Sequence, residues 1–294
     1  MYGAGFVHLY SQRLFISESL LARQYMEKPT ETVYFVHISD SHFGPTAEYA
    51  RHGFQPQPCV ERAVEIINSL PTRPDFVVHT GDIVTDPDDA SYRRAAAVFS
   101  QLQMPVYFVT GNHDRSRDIQ QFMPLGPRQP LSADPDVLSY AFAVKGYRFV
   151  VLDARGPDEI DPHGVLSEAQ MDVVRAEATA VGPALTIFIH FPVLPMNSIW
   201  MDLNMLVLNG EAFHQALLPA RERLRGVFYG HVHQSMQTVK DGIVYTAVPS
   251  LFSQFAAWPN DIVVREDPEY LPGFNFVHLL PDQTIVHQHT FPRP

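Results

Sequence analysis

The chain has 294 residues, 46% hydrophobic and 18% charged, with 32 acidic and 21 basic side chains for a formal net charge of −11. That composition describes a globular chain with ample material for a core and excludes intrinsic disorder; the acidic balance argues against general nucleic-acid binding, since a phosphate backbone repels it. No apolar run reaches the ~18 residues of a membrane span, and the single cysteine, Cys59, excludes an internal disulfide.

From Met1 to about Thr32 the chain lacks the charged start and continuous apolar stretch of a secretory signal. Ser17 followed by Glu18, with Pro29 as a stop, predicts a short helix there. Residues 1–31 are therefore expected to form an arm, helical or dimer-forming, ahead of a domain over residues 32–294. Val33–Ile38 is a short apolar run and predicts a buried strand. Cys59–Leu70 sets Val60, Ala63, Val64 and Ile67 on one helical face and stops at Pro71. Strands over Phe76–His79 and Val106–Val109 enclose a helix over Ser91–Leu102, and a further helix follows over Arg115–Phe122. Tyr140–Val144 and Arg148–Leu152, joined through Lys145-Gly146, predict a hairpin. Ser167-Glu168-Ala169-Gln170 has capping-box spacing at the head of a helix running to about Ala180. Leu185–Ile189 and Val227–Tyr229 are further buried strands, and Asp241-Gly242 joins Gln234–Val239 to Ile243–Val248 as a hairpin. Phe274–Leu280 and Thr284–His289 close the chain as strands. A βαβα start followed by more antiparallel strands implies one mixed α/β domain.

The residues that carry chemistry follow these strands. Asp40 and His42 lie just beyond the first, and Asp82 in Gly81-Asp82 beyond the second. Asn112, His113 and Asp114 follow the third in Gly111-Asn112-His113-Asp114. His190 precedes Phe191-Pro192, and His231 and His233 sit in Gly230-His231-Val232-His233. Ligands of open α/β sheets bind beyond the carboxyl ends of strands, so these loops can converge on one crevice. Carboxylate, imidazole and amide oxygen together suit borderline divalent ions such as Mn, Fe, Co or Zn. A carboxylate at Asp82 can bridge two ions, which a two-metal site holds about 3.5–4 Å apart. One such cluster alone would be unremarkable; all of them, in this order at strand ends, point to metal.

Asp-x-His, Gly-Asp, Gly-Asn-His-Asp, His-x-Pro and Gly-His-x-His, in this order, resemble the calcineurin-like metallophosphoesterase superfamily. Within it the chain is similar to the class III cyclic nucleotide phosphodiesterase and glycerophosphodiesterase group, from about Val33 to His289. The resemblance implies a four-layer α/β/β/α sandwich of two mixed sheets flanked by helices, with two divalent transition-metal ions. It implies that Asp40, His42, Asp82 and His233 hold one ion, and Asp82 again with Asn112, His190 and His231 the other. His113 would face the substrate and stabilise or protonate the departing oxygen. Asp114 would either orient His113 or cap the helix that follows. The implied reaction is hydrolysis of a small phosphodiester by a metal-bound hydroxide, with a phosphomonoesterase or phosphonate-ester hydrolase as the alternative and a metal-free binding scaffold behind both. Two departures bear on this. Phe191 stands where many relatives have a second histidine, and Ile83-Val84-Thr85 offers no tyrosine for an iron–tyrosinate site.

Weaker signals remain. Phe191–Gly210 is rich in Leu, Met and Trp, with Trp200 and Met201 as an expected active-site wall and Leu203, Leu206 and Leu208 as expected core or subunit interface. With the N-terminal arm, that stretch suggests a homo-oligomer. Arg115 and Arg117 could grip phosphate, while His37, His79, His278, His287 and His289 are expected to be structural or exposed. A cytoplasmic location is expected.

Overall fold

Short apolar runs bounded by polar turns become buried strands, and the structure, a computed structural model that describes residues 32–294, stacks them in two sheets. The expected arm over residues 1–31 lies outside the described residues. In chain order the strands are β1 (Val33–Ile38), β2 (Phe76–His79), β3 (Val106–Phe108), β4 (Gln129–Pro130), β5 (Tyr140–Val144), β6 (Tyr147–Val151) and β7 (Leu185–Phe188). They continue as β8 (Leu224–Tyr229), β9 (Gln237–Lys240), β10 (Ile243–Ala247), β11 (Phe255–Ala256), β12 (Arg265–Glu266), β13 (Gly273–Leu279) and β14 (Thr284–Thr290). The α-helices are α1 (Pro56–Asn68), α2 (Asp89–Phe99), α3 (Ser116–Phe122), α4 (Glu168–Thr179), α5 (Ile199–Asn204) and α6 (Gly210–Leu217).

The first sheet runs β14-β13-β1-β2-β3, with the C-terminal hairpin returning to pair antiparallel with β1. The second runs β4-β5-β6-β7-β8-β10-β9, and β11 and β12 form a small ribbon apart. Helices flank both sheets, which makes the four-layer α/β/β/α sandwich that the motifs imply. The expected antiparallel pairs form in the second half, as β4-β5-β6, β9-β10 and β13-β14, but the centre of the second sheet differs, because β6, β7, β8 and β10 pair in parallel. Parallel neighbours need crossover connections. They are supplied by α4 between β6 and β7, by the α5–α6 stretch between β7 and β8, whose helices have no side-chain caps to announce them, and by β9 between β8 and β10.

Local chemistry sets the helix starts. Pro56 sits in the first turn of α1, where its missing N–H costs nothing, so the helix begins ahead of Cys59. Asp88 caps α2 through Ala90 and Ser91 N–H, both at 2.9 Å, and moves that start ahead of Ser91. The capping box on α4 forms as its spacing predicts, with Gln170 Oε1 accepting from Ser167 N–H at 2.8 Å.

Alternation along the strands then divides the core. In β7 and β8, Leu185, Ile187, Val227 and Tyr229 point to the side of α4 and α6, while Phe188 and Phe228 point between the sheets. There Phe35 stacks on Phe76 at 5.1 Å and meets Phe188 and Phe228 edge-on at 5.6 and 5.3 Å. This aromatic layer fixes one sheet on the other, and with it the strand ends that carry the polar clusters.

Candidate metal centre

The loops after β1, β2 and β3 meet those after β7 and β8 where the two sheets end. They are zipped together by backbone: Asp40 N–H donates to Gly81 O and His42 N–H to Asp82 O, both at 3.0 Å. Asp40, His42, Asp82, His231 and His233 all adopt left-handed backbone, with φ of 55°, 44°, 57°, 69° and 47°. For a residue with a Cβ this costs roughly 1–2 kcal/mol, and such strain gathers at functional sites. Neighbouring glycines leave the room required. Gly81 has φ 102°, and a Cβ on Gly111 would land on the Asp82 carboxylate.

Two donor groups result. In the first, His233 Nε2 lies 3.2 Å from His42 Nε2 and 3.4 Å from Asp40 Oδ1. In the second, His190 Nε2 lies 3.1 Å from His231 Nδ1 and 3.3 Å from Asn112 Oδ1. Asp82 Oδ2 stands between them, 3.6 Å from His42 Nε2 and 3.4 Å from His190 Nε2. Every sequence-predicted ligand is thus brought together, and all but the half-buried Asn112 are buried.

Carbonyl acceptors determine which ring nitrogen each histidine presents. His190 Nδ1–H donates to Thr80 O at 2.6 Å, His231 Nε2–H to Pro162 O at 3.0 Å, and His233 Nδ1–H to Ser253 O at 3.1 Å. The other nitrogen of each ring faces the cluster, the arrangement that orients metal-binding imidazoles. Asp40 Oδ1, also facing the cluster, is buried without a hydrogen-bond partner. Buried polar atoms are rarely left so. An orphaned carboxylate oxygen among converging nitrogens fits a cation.

The charge states agree. Burial opposes ionisation of Asp40 and Asp82, but His233 beside Asp40 and His190 beside Asp82 hold both below the usual carboxylate range. Burial presses His231 down to about 3 and His42 well below its usual value, so both are neutral donors. His190 differs. Burial works against its charge, yet the Asp82 carboxylate raises it to about 9. Without metal, a proton therefore holds the place among Asp82, Asn112 and His231 that an ion would take.

His113 is half-buried at the rim, its Nδ1–H donated to Thr85 O at 2.7 Å and its backbone N–H to Asp82 Oδ1 at 3.0 Å. Asp114 takes neither expected role. Its carboxylate accepts from Gly111 N–H at 3.0 Å and Ile83 N–H at 3.1 Å, tying the β2 and β3 loops together. Thr85 rather than Asp114 orients the His113 ring, and α3 starts without a side-chain cap. Burial and the charge of Asp82 push Asp114 up to about 7. Phe191 packs against His190 and His231 at 4.9 and 5.0 Å, and Phe255 stacks on His233 at 4.4 Å.

Other expectations are corrected. Met201 is buried in the core behind β7 and β8, so it cannot form an active-site wall, and Trp200 packs against the same cluster. Leu203 and Leu208 are 70% and 56% exposed, so neither is core. Arg117 pairs with Asp136 and Arg115 with Asp158, so each already has a carboxylate partner. His37 and His79 are structural, hydrogen-bonded to Thr80 Oγ1 and Ser41 Oγ at 2.9 Å each. Sequence reasoning missed Arg51, whose Nη2 lies 3.4 Å from His113 Nε2, and the carbonyls of Thr80, Thr85, Pro162 and Ser253; no residue type marks a backbone acceptor. A cavity of about 420 Å³ adjoins His233, lined by Met236, Gln254, Trp258, Tyr270 and Leu271. A larger one of about 630 Å³, near Leu125 and Tyr140, touches none of the donor residues.

The family model for calcineurin-like phosphoesterases matches residues 33–235, a span that takes in every candidate ligand. A curated relative, the 3′,5′-cyclic adenosine monophosphate phosphodiesterase CpdA of Pseudomonas aeruginosa, is 28% identical over 253 residues, covering 85% of this chain and 87% of its own length. A probable cyclic nucleotide phosphodiesterase of Psychrobacter arcticus is 30% identical over 211 residues, covering 70% and 73%. Among solved structures, a dimetal phosphatase from Danio rerio aligns with a TM-score of 0.65 at 20% identity, covering 88% of this chain and 96% of that one. GAP50, the anchor in the inner membrane complex of Plasmodium, aligns with a TM-score of 0.57 at 12% identity, covering 90% and 89%. At these identities the two structures establish the fold alone, and a fold does not dictate chemistry.

Proposed function

The chain belongs to the calcineurin-like phosphoesterase family, and from that premise we propose that it hydrolyses small phosphodiesters, of the 3′,5′-cyclic nucleotide or glycerophosphodiester type, at a two-metal centre. By kinship with relatives named as cyclic nucleotide phosphodiesterases it is a metal-dependent phosphodiesterase. The observation that carries the reading is the position of Asp82, whose Oδ2 lies within 3.6 Å of a nitrogen in each donor group.

In this reading Asp40, His42, Asp82 and His233 hold one divalent ion and Asp82, Asn112, His190 and His231 the other; the mixed donors suit Mn, Fe, Co or Zn. When bound, such a pair supplies Lewis acidity and a water nucleophile available near neutral pH. The chain's own residues do the rest. Thr80, Pro162 and Ser253 orient the imidazoles, while Phe191 and Phe255 keep water from behind them. His113, with Nδ1–H committed to Thr85, has Nε2 at the rim as the atom to hold a proton for the departing alkoxide.

The 420 Å³ cavity beside His233 supports a small substrate, since pockets of roughly 300–1,000 Å³ suit small molecules. Residues 32–294 make up the catalytic domain in this reading. A cytoplasmic location is supported by the free, buried Cys59, which calls for no oxidising compartment. Among the described residues no helix is long and apolar enough to cross a membrane. The exposed Leu203 and Leu208 support a homo-oligomer, which light scattering tests.

The deciding experiment is metal depletion, reconstitution with Mn, Fe, Co or Zn, and a panel of cyclic nucleotides, glycerophosphodiesters, phosphonate esters and monoesters. Metal-dependent turnover with preference for bis(p-nitrophenyl) phosphate over p-nitrophenyl phosphate is expected. Preference for the monoester would sink the diesterase reading.

A further inference from the structure

A tight turn between β1 and α1 aims a cation at the open side of the centre. Arg51 and Phe54 exchange both backbone hydrogen bonds, each at 2.9 Å. The residues between them, His52 and Gly53, have φ of 55° and 79°. Left-handed backbone at both central positions marks a type I′ turn, which fixes the direction of the residue that opens it. The tip is clamped as well, with the Arg293 guanidinium 4.2 Å above the Phe54 ring.

The Arg51 side chain is held in the same manner. Its Nε–H donates to His52 Nε2 at 3.0 Å, and His52 Nδ1–H donates to the Glu266 carboxylate on β12. Burial and the charge of Arg51 bring His52 down to about 4, so its ring is neutral and able to accept at one nitrogen while donating at the other. At the far edge of the guanidinium Nη2 donates one N–H to His113 Nε2 at 3.4 Å, which leaves its second N–H and the Nη1 group for an incoming acceptor. Among the described residues Arg51 forms no ion pair, whereas Arg115, Arg117 and Arg155 each pair with an aspartate. A half-buried guanidinium without a counter-ion, held rigidly at the rim of a metal centre, is built for an anion that arrives from outside. Its planar fork matches phosphoryl oxygens, and holding it in place beforehand spares part of the ordering cost of binding.

We propose that Arg51 is a substrate-binding residue that donates from Nη2 to an unesterified oxygen of the phosphodiester beside His113, with His52 and Glu266 as its positioning residues. This rests on the two-metal reading above. It adds a contact at the rim, beside His113.

The test is inorganic phosphate binding to the metal-loaded protein by calorimetry, run beside diester kinetics and metal analysis. Arg51→Gln is expected to weaken phosphate binding about ten- to hundredfold, the range for a hydrogen bond to a charged group, and to raise KM with both ions retained. Arg51→Lys keeps the charge without the fork and falls between. His52→Ala weakens phosphate binding several-fold, and His52→Gln, which can still accept and donate, restores it; a merely structural turn residue would not move phosphate affinity in this pattern. Equal phosphate affinity in wild type and Arg51→Gln, or none in wild type, overturns the assignment. A phosphate difference that persists in a wild type unable to turn over any diester refutes the diesterase reading and upholds the anion contact.

Discussion

His190 is where metal loading and pH meet. Burial opposes its charge, but Asp82, 3.4 Å from Nε2, raises it to about 9 in the metal-free protein. Since Nδ1–H is committed to Thr80 O, the additional proton sits on Nε2, the atom that faces Asn112 and His231. An ion in that group must displace it. At pH 7 the protonated ring outweighs the neutral one about a hundredfold, weakening apparent affinity by that order, or about 3 kcal/mol. The sign follows from a raised value: the free protein holds a proton that the loaded protein lacks. Affinity at this position should therefore climb about tenfold per pH unit toward 9 and level off above it. Asp114, raised to about 7 by burial and by Asp82, is mostly ionised by pH 8, so the climb between 8 and 9 reports mainly His190. Mn²⁺ titration against a chelator of known pH dependence measures the profile. Calorimetry in two buffers of different ionisation heat should count about one proton released with that ion. A flat profile from pH 7 to 9, or no proton release, would refute the reasoning.

Three further outcomes follow from the same geometry. Asp82→Ala removes the carboxylate common to both groups, so metal analysis should find both ions lost and turnover should fall about a thousandfold or more; full loading in the variant would contradict the shared position. His113→Ala should retain both ions while kcat drops about 10²–10⁴-fold, and an unchanged kcat would remove His113 from the reaction. Phe35→Ala opens the aromatic layer between the sheets and should cost about 3–5 kcal/mol in urea unfolding; a loss under 1 kcal/mol would mean that the layer does not bind the sheets together.

The ligand set was legible because each member sits within about four residues of the end of an apolar run, and because aspartate, asparagine and histidine are the residue types that the chemistry requires. Strand and capping signals were local too, and β1, β2 and the Ser167 capping box lie where their spacing predicts. What escaped depended on distance or on backbone. The return of β13 to pair with β1 joins Val33 to Leu279, a contact that no local pattern encodes. Helices α5 and α6 lack caps, and without them the parallel pairing of β7 with β8 could not be inferred. Asp114 was misjudged because its partners are amide groups of Gly111 and Ile83, invisible in residue identity. His52 was passed over as one of many histidines, since its meaning lies in Arg51 on one side and Glu266 on the other.

The left-handed ligands have a consequence for how this chain changes over generations. Glycine at Asp40, His42, Asp82, His231 or His233 would relax the backbone by roughly 1 kcal/mol, and at Asp40 or Asp82 it would also remove a buried charge. Drift toward a sturdier chain thus runs downhill through the very substitutions that erase the metal centre. At all five positions, then, the backbone and the metal centre ask for different residues, and stability is set against function inside the same loops.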